Sequence, residues 1–333
     1  MTPNRRIRLA SIPNGMTVEN DFSLEETSVP ACPQDGLLLR TLWISVDPYL
    51  RGRISGVKSY IDPIPVGSTM ESSCVGEVIE SNDSGFMAGD FVSGLWGWQE
   101  YVAIDARKVL KVDAGVAPIS TALGILGMPG MTAYFGFTEL CSPKAGETVV
   151  VSGAAGAVGS AVGQIAKILG CRVVGTAGTE GKVNYLKTLG FDGAINYRDH
   201  RPIGEVLAEL CPDGIDCYFD NVGGEITDAV IGLMNVRGRV AVCGQISQYN
   251  DWSQDLGLRP FGTILTRQLR VEGFIVSRWA KQFDQGRSQM AEWLREGKLQ
   301  YEETIYEGLE SAPEAFIGLF RGENTGKALV RLA

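Results

Sequence analysis

The chain has 333 residues, more than one hydrophobic core usually organises, so two domains are expected. With 44% hydrophobic and 21% charged residues and a net charge of −9, it reads as an ordinary globular protein, and no Lys/Arg cluster is dense enough to follow a phosphate backbone, which argues against nucleic acid as a partner. The start, Met1-Thr-Pro-Asn-Arg-Arg-Ile-Arg8, has charge without an apolar run behind it, so neither a signal peptide nor an anchor is read there and a cytoplasmic location is expected.

Taken in order, the first third is rich in short β-type runs at 36–46, 75–80, 90–93, 100–104 and 108–112, separated by Gly, Pro, Asn and Asp. That spacing predicts a small, irregular β-barrel or sandwich. An uncharged stretch within 113–139 is long enough to raise the question of a membrane helix, but Pro118, Pro129 and several glycines interrupt it. The better reading is two short helices broken at Gly127-Met-Pro-Gly130, apolar sides buried, leading from the barrel into the next domain.

The stretch 148–170 carries the strongest pattern. Its β-branched start, 148–152, predicts a buried parallel strand. Val158, Ala161, Val162, Ile165 and Leu169 then recur at three- and four-residue steps, which predicts a helix with these residues on one face and Ser160, Gln164 and Lys167 on others. Between them, Gly153-Ala-Ala-Gly156-Ala-Val-Gly159 is a tight turn that aims backbone N–H groups and a helix N-terminus at one point, a site for a pyrophosphate. Against the G-x-G-x-x-G pattern, Ala154 replaces the first glycine, while Gly156 and Gly159 keep the close-approach and helix-packing positions.

Further strands are predicted at 171–175, 193–196, 214–219, 238–243 and near 269–275, alternating with helices at 181–189, 203–210 and 224–233. This is the sequence form of a six-stranded, doubly wound parallel sheet of the Rossmann type. The tail, with a helix at 283–299, a strand at 302–307, a helix at 312–320 and a strand at 327–331, does not extend the pattern and is expected to lead back to the barrel. The expected division is 1–123 with 300–333 as the barrel-like catalytic domain and 124–299 as the dinucleotide-binding domain.

A site that prefers NAD usually places an acid at the end of the second strand, about 20 residues past the glycine turn, to bind the ribose 2′-hydroxyl. Gly175-Thr-Ala-Gly178 stands there instead, and Lys182 supplies a cation just beyond, which together favour NADPH. Catalytic zinc needs three protein ligands and a structural site four. His200 is the single histidine, in a polar Asp199-His-Arg-Pro202 turn, and the seven cysteines are scattered with no C-x-x-C pair, so reduced thiols and no metal site are expected. The same histidine count argues against a Ser-His-Asp triad.

Blocks along nearly the whole chain resemble the zinc-independent medium-chain dehydrogenase/reductases, specifically the prostaglandin reductase, alkenal double-bond reductase and curcumin reductase group. They are Ser45-Val-Asp-Pro-Tyr-Leu-Arg51, Gly127-Met-Pro-Gly-Met-Thr-Ala-Tyr134, the glycine turn, Asn196-Tyr197, Phe219-Asp-Asn-Val-Gly-Gly224 and Cys243-Gly-Gln-Ile-Ser-Gln-Tyr-Asn250. The resemblance implies an α/β fold in which a GroES-like β-barrel catalytic domain, built from both termini, accompanies the Rossmann domain. It implies that Gly153, Gly156, Ala157, Val158 and Gly159 hold the pyrophosphate of NADP(H), and that Lys182 and Tyr197 reach the 2′-phosphate. Asn221, Cys243 and Gly244 would line the ribose and nicotinamide side, with Thr132, Phe274, Val276 and Asn324 completing the cofactor set. Tyr249 and Tyr60 resemble the substrate-side phenols of bacterial relatives, and Tyr49 lies in the Asp-Pro-Tyr block. Mammalian members carry a further tyrosine before the last Rossmann strand, where this chain has Thr266. The activity implied is NADPH-dependent reduction of a C=C bond conjugated to a carbonyl, in a homodimer that pairs Rossmann sheet edges. An NADPH:quinone oxidoreductase of the same fold and a non-catalytic NADPH-binding protein are the alternatives.

Overall fold

The computed structural model describes residues 3–251, 257 and 259–332. Two compact units emerge, Met1–Gly124 with Glu303–Ala333, and Ile125–Glu302.

The first unit begins with β1 (Asn4–Leu9) and β2 (Phe22–Thr27), an antiparallel pair in which Leu9 faces Phe22. Neither strand was expected from the sequence, because a run of arginines looks like solvated chain. The strand forms because Ile7 and Leu9 alternate into the core while Arg6 and Arg8 both meet Glu25 on β2, at 2.5 and 3.1 Å. There follow β3 (Gly36–Ser45), α1 (Leu50–Arg53), β4 (Ser73–Ser81), β5 (Phe91–Leu95), β6 (Tyr101–Asp105) and β7 (Val109–Lys111). β3 is almost continuously buried and organises the unit. β4 runs antiparallel along it, and β6 pairs antiparallel with its first half, Gly36 to Arg40. Trp98 is fully buried at the centre of the core, 5.5 Å from the Phe22 ring and 6.2 Å from that of Phe316.

The second unit opens with α2 (Met128–Phe135), followed directly by a π-helical turn, Gly136–Cys141. The first of the two helices expected here is a short 3-10 turn, Ile119–Leu123, and Pro129 lies in the first turn of α2, where its missing N–H costs no bond. Then come β8 (Thr148–Val151), α3 (Ala157–Ile168), β9 (Arg172–Ala177), α4 (Glu180–Thr188), β10 (Gly193–Asn196) and α5 (Ile203–Leu210). β11 (Ile215–Asp220), α6 (Gly224–Leu233), β12 (Met234–Val242), α7 (Phe261–Arg267), β13 (Arg270–Gly273) and α8 (Phe283–Arg295) complete it. The six strands are parallel in the order β10-β9-β8-β11-β12-β13, which is the doubly wound Rossmann order. α7 was missed: its side chains are mostly exposed, so it has no buried stripe to announce it. α8 stays with this unit, its Phe283 stacked 6.1 Å from Phe135 of α2.

The chain then returns to the first unit as β14 (Glu303–Glu307), α9 (Ala312–Arg321) and β15 (Lys327–Arg331). β15 runs parallel to β14 and antiparallel to the second half of β3, giving a seven-stranded sheet.

The face assignment for α3 needs correction. Ser160 and Gln164, expected off the buried face, are each only 4% exposed, whereas Leu169 is partly exposed. The helix is covered on both sides, and Gln164 meets the backbone of Gln300, donating from Nε2 to its carbonyl at 2.9 Å and accepting its N–H at 2.8 Å. Gln164→Leu strands both backbone groups, so a loss of about 1–3 kcal/mol is expected, read as a lower urea midpoint at unchanged slope.

Candidate cofactor and active site

β8 is entirely buried, and the chain leaving it turns back on itself before α3 begins. The left-handed residue of this turn is Gly153, at φ +57°. That explains the departure from the glycine pattern: the unusual dihedral falls one residue earlier, so alanine is tolerated at Ala154. Gly159 is required by the fold, since a Cβ there would lie 2.4 Å from the Gly153 carbonyl oxygen and 2.8 Å from the Ala154 Cα. Gly156, the N-cap of α3, differs, because a Cβ on it would meet only the Gly153 oxygen, at an ordinary 3.4 Å. The fold does not demand glycine there, so the demand comes from what approaches the helix from outside. The N–H groups of Ala157, Val158 and Gly159 have no carbonyl within the helix to bond, and they add to the positive end of its dipole. The cradle fits a pyrophosphate. Gly156→Ala is expected to keep the melting temperature within about 2 °C while weakening NADPH binding about tenfold or more, whereas Gly159→Ala should lower stability by about 1–3 kcal/mol; thermal melts and cofactor fluorescence titration separate the two.

At the end of β9, Thr179 caps α4 by accepting the Lys182 N–H at 3.3 Å. Lys182 is half-buried, and its ammonium is disfavoured by burial and then by the charge of Arg198. Tyr197 brings its hydroxyl against Gly178, where a Cβ would lie 2.7 Å from it. Lys182 and Tyr197 therefore converge on one corner, and Arg198 joins them. Sequence reasoning passed over Arg198, although it adjoins Tyr197.

The ends of β11 and β12 form the next part of the site. Asp220 is fully buried and accepts from Ser152 Oγ at 2.9 Å, Tyr218 Oη at 2.8 Å, Thr227 Oγ1 at 2.7 Å and the amides of Val222 and Gly223 at 3.0 Å. Ser152 in turn accepts the Asn221 N–H at 2.9 Å, while Asn221 Nδ2 donates to the Ser152 carbonyl at 2.8 Å. The backbone N–H groups of Cys243 and Gly244 both reach the Asp220 carbonyl, at 2.8 and 3.1 Å. Asn221, Cys243 and Gly244 are thus brought together, and Ser152 and Asp220, absent from the sequence-based set, hold them. A polar residue closing a β-branched run was the signal for Ser152.

Tyr249 ends a 3-10 turn, Ile246–Gln248, that is hung from Val222 by Ser247, whose Oγ donates to the Val222 carbonyl at 2.6 Å. The Tyr249 hydroxyl lies over Gly244, 3.1 Å from where a Cβ would stand. Burial, and then the nearby Asp220 charge, pushes the Cys243 thiol up to about 12. Iodoacetamide should therefore spare Cys243 at pH 8, with labelling by mass spectrometry rising as the pH is raised; rapid modification at neutral pH would contradict that environment.

The other sequence-based candidates have the following surroundings. The Phe274 ring packs on Gly136, 6.1 Å from Phe219 and 5.6 Å from Trp279, and belongs to an aromatic core. Thr132 Oγ1 donates to the Met128 carbonyl at 2.8 Å within α2, and Val276 opens a 3-10 run, Val276–Gln282. Thr266 bonds the Gly262 carbonyl at 2.9 Å within α7. Tyr49, Tyr60 and Asn324 belong to the first unit. Burial, Asp47 and Tyr60 raise the Tyr49 phenol, while Tyr60, 62% exposed, is raised by burial against the opposing effect of Arg53; the two phenols therefore share one neighbourhood beside Arg53. Asn324 Nδ2 donates to the Gly326 carbonyl at 2.8 Å. His200 is exposed, and no group of three His, Cys, Asp or Glu side chains able to hold a metal occurs among the described residues.

Two family models match the chain, one for the N-terminal domain of oxidoreductase over residues 5–112 and one for zinc-binding dehydrogenase over residues 157–294. The chain is 49% identical to a putative NADP-dependent oxidoreductase, YfmJ, of Bacillus subtilis, covering 99% of this chain and 98% of that protein. It is 42% identical to the NADPH-dependent curcumin reductase of Escherichia coli, over 99% and 97% of the two chains. Among solved structures, CurA from Vibrio vulnificus in complex with NADPH superposes with a TM-score of 0.94 at 41% identity, covering 99% of each chain.

Proposed function

The chain belongs to the medium-chain dehydrogenase/reductases, in the group that holds the prostaglandin, curcumin and 2-alkenal reductases, and we propose that it uses NADPH to reduce the C=C bond of α,β-unsaturated ketones and aldehydes. The observation that carries this reading is the Tyr249 hydroxyl held over Gly244 at the carboxyl end of β12, in the unit that contains the glycine cradle. Ligands of doubly wound sheets bind outside the carboxyl ends of the strands.

Gly153, Gly156, Ala157, Val158 and Gly159 would hold the pyrophosphate, Lys182 and Tyr197 the 2′-phosphate, and Asn221, Cys243 and Gly244 the nicotinamide side. When bound, NADPH supplies the hydride. In an enone the β-carbon accepts it only as far as the carbonyl oxygen can take negative charge, so the protein's task is to stabilise that oxygen. Tyr249 donates its O–H to it, with Tyr60 the second candidate and Tyr49 the third. The α-carbon is then protonated by water or by a tyrosine that solvent replenishes.

The chemistry needs no metal in this reading. One exposed histidine, with no group of three His, Cys, Asp or Glu side chains able to hold a metal among the described residues, makes a poor zinc donor set, and the phenols provide the oxyanion stabilisation that zinc would otherwise supply. No helix among the described residues is long and apolar enough to cross a membrane, and the reading includes a cytoplasmic place of action. It also includes a homodimer: among the described residues β13 pairs only with β12, and α7 beside it leaves Phe261 73% and Leu265 78% exposed, an edge and an apolar patch suited to a second copy.

Incubation of a simple enone with NADPH deuterated at the transferred position is expected to give the saturated carbonyl compound with the label at the β-carbon. An allylic alcohol, or label on the carbonyl carbon, would refute the assignment. Tyr249→Phe should lower turnover about 10–1,000-fold with NADPH affinity nearly unchanged. Full activity in both Tyr249→Phe and Tyr60→Phe would leave the reaction standing and remove these phenols from it.

A further inference from the structure

The corner between β9 and β10 holds a cation that the glycine motif does not account for. Asn196 ends β10 and accepts the Arg198 N–H on its own Oδ1 at 3.1 Å, a local turn that fixes the backbone carrying Tyr197 and Arg198. Both side chains fold over the end of β9. A Cβ added to Gly178 would lie 2.7 Å from the Tyr197 hydroxyl and 3.3 Å from Arg198 Nε, so these two polar groups occupy the volume a side chain there would need. The Arg198 guanidinium carbon lies 5.9 Å from the centre of the Tyr197 ring, close enough for the ring to help orient it. Lys182 approaches from α4 and feels the Arg198 charge as a repulsion. Glu180, in the first turn of the same helix, has its carboxylate hydrogen-bonded by Asn196 Nδ2 at 3.1 Å.

Two cations and a phenol gathered at one strand end make a donor set suited to an anion. A guanidinium offers several fixed donors where an ammonium offers a point charge. We propose that Arg198 is a specificity-determining residue for the 2′-phosphate of the adenine nucleotide, acting with Lys182 and Tyr197, and that glycine stands at Gly178 to leave these groups room. On this view the missing acid at the end of β9 has a steric reason as well as an electrostatic one. The inference rests on the NADPH reading above.

The test uses binding of fragments, so it does not depend on turnover. Calorimetric titration of the full-length protein with 2′,5′-ADP and with 5′-AMP reads the 2′-phosphate alone. Arg198→Ala is expected to weaken 2′,5′-ADP about tenfold or more while leaving 5′-AMP within about twofold, and Arg198→Lys should recover part of the loss. If Arg198→Ala holds 2′,5′-ADP within about twofold of the unmutated protein while Lys182→Ala does not, the inference falls and the NADPH reading survives. An equal loss for both nucleotides would also overturn it, since Arg198 would then shape the adenine pocket through Tyr197 and not read the phosphate. An unmutated protein that binds 2′,5′-ADP no better than 5′-AMP would instead remove the NADPH reading itself.

Discussion

Taking a carboxylate out of water costs several kcal/mol unless donors replace its solvation. Asp220 is fully buried, and three hydroxyls and two amides meet it. Their origin matters more than their number. Ser152 comes from the end of β8, Tyr218 from β11, Thr227 from α6, and the two amides from the turn between β11 and α6. The strand order reverses between β8 and β11, so this carboxylate ties together the two halves of the sheet at its switch point. Its backbone carbonyl adds β12 through Cys243 and Gly244. A charge that must be satisfied therefore dictates where the strand ends stand relative to one another. The Asn221 side chain, held on the Ser152 backbone, inherits that precision.

The parallel sheet was legible in the sequence because its signals are local and repeated. Short β-branched runs alternate with helical periods, and 193–196, 203–210 and 224–233 match β10, α5 and α6 residue for residue. What was not legible depended on contacts far along the chain. β1 is a strand because Glu25 and Glu100 lie across from its arginines, at 2.5 Å from Arg6 and 2.6 Å from Arg5. Gln164 is buried because residue 300 returns to it, a partner no periodicity within α3 can announce. Conversely, 113–139 looked more regular than it is, since apolar residues broken by Pro and Gly do not distinguish a 3-10 turn, an α-helix and a π-turn.

The site divides along the same line. The glycine turn is a contiguous motif and could be read whole. Residues that act at a distance in sequence could be named only through the resemblance. The Phe274 ring packs against Phe219 and Trp279, and the Thr132 hydroxyl donates within its own helix. Ser152, Asp220 and Arg198 escaped notice for another reason. Each is an ordinary polar residue beside a motif residue, and its importance appears only once hydrogen bonds and distances are known.

A common device runs through these positions. Gly244 leaves the space that the Tyr249 hydroxyl enters, Gly178 the space taken by Tyr197 and Arg198, and Gly136 the space filled by the Phe274 ring. In each case the element end gives up a side chain so that a functional or packing group from elsewhere can stand against the backbone. Every such glycine costs about 0.5–1 kcal/mol of extra chain entropy relative to alanine when it is ordered. Burial of the sheet and the bonds to Asp220 offset that cost. The exchange suits the proposed roles of the phenols and of Arg198: such side chains are long, and they act well only if their tips are held against a surface that does not move. A strand end stripped of side chains is that surface, and the role proposed for Tyr249, whose sequence neighbours give little sign of it, depends on Gly244 leaving that space.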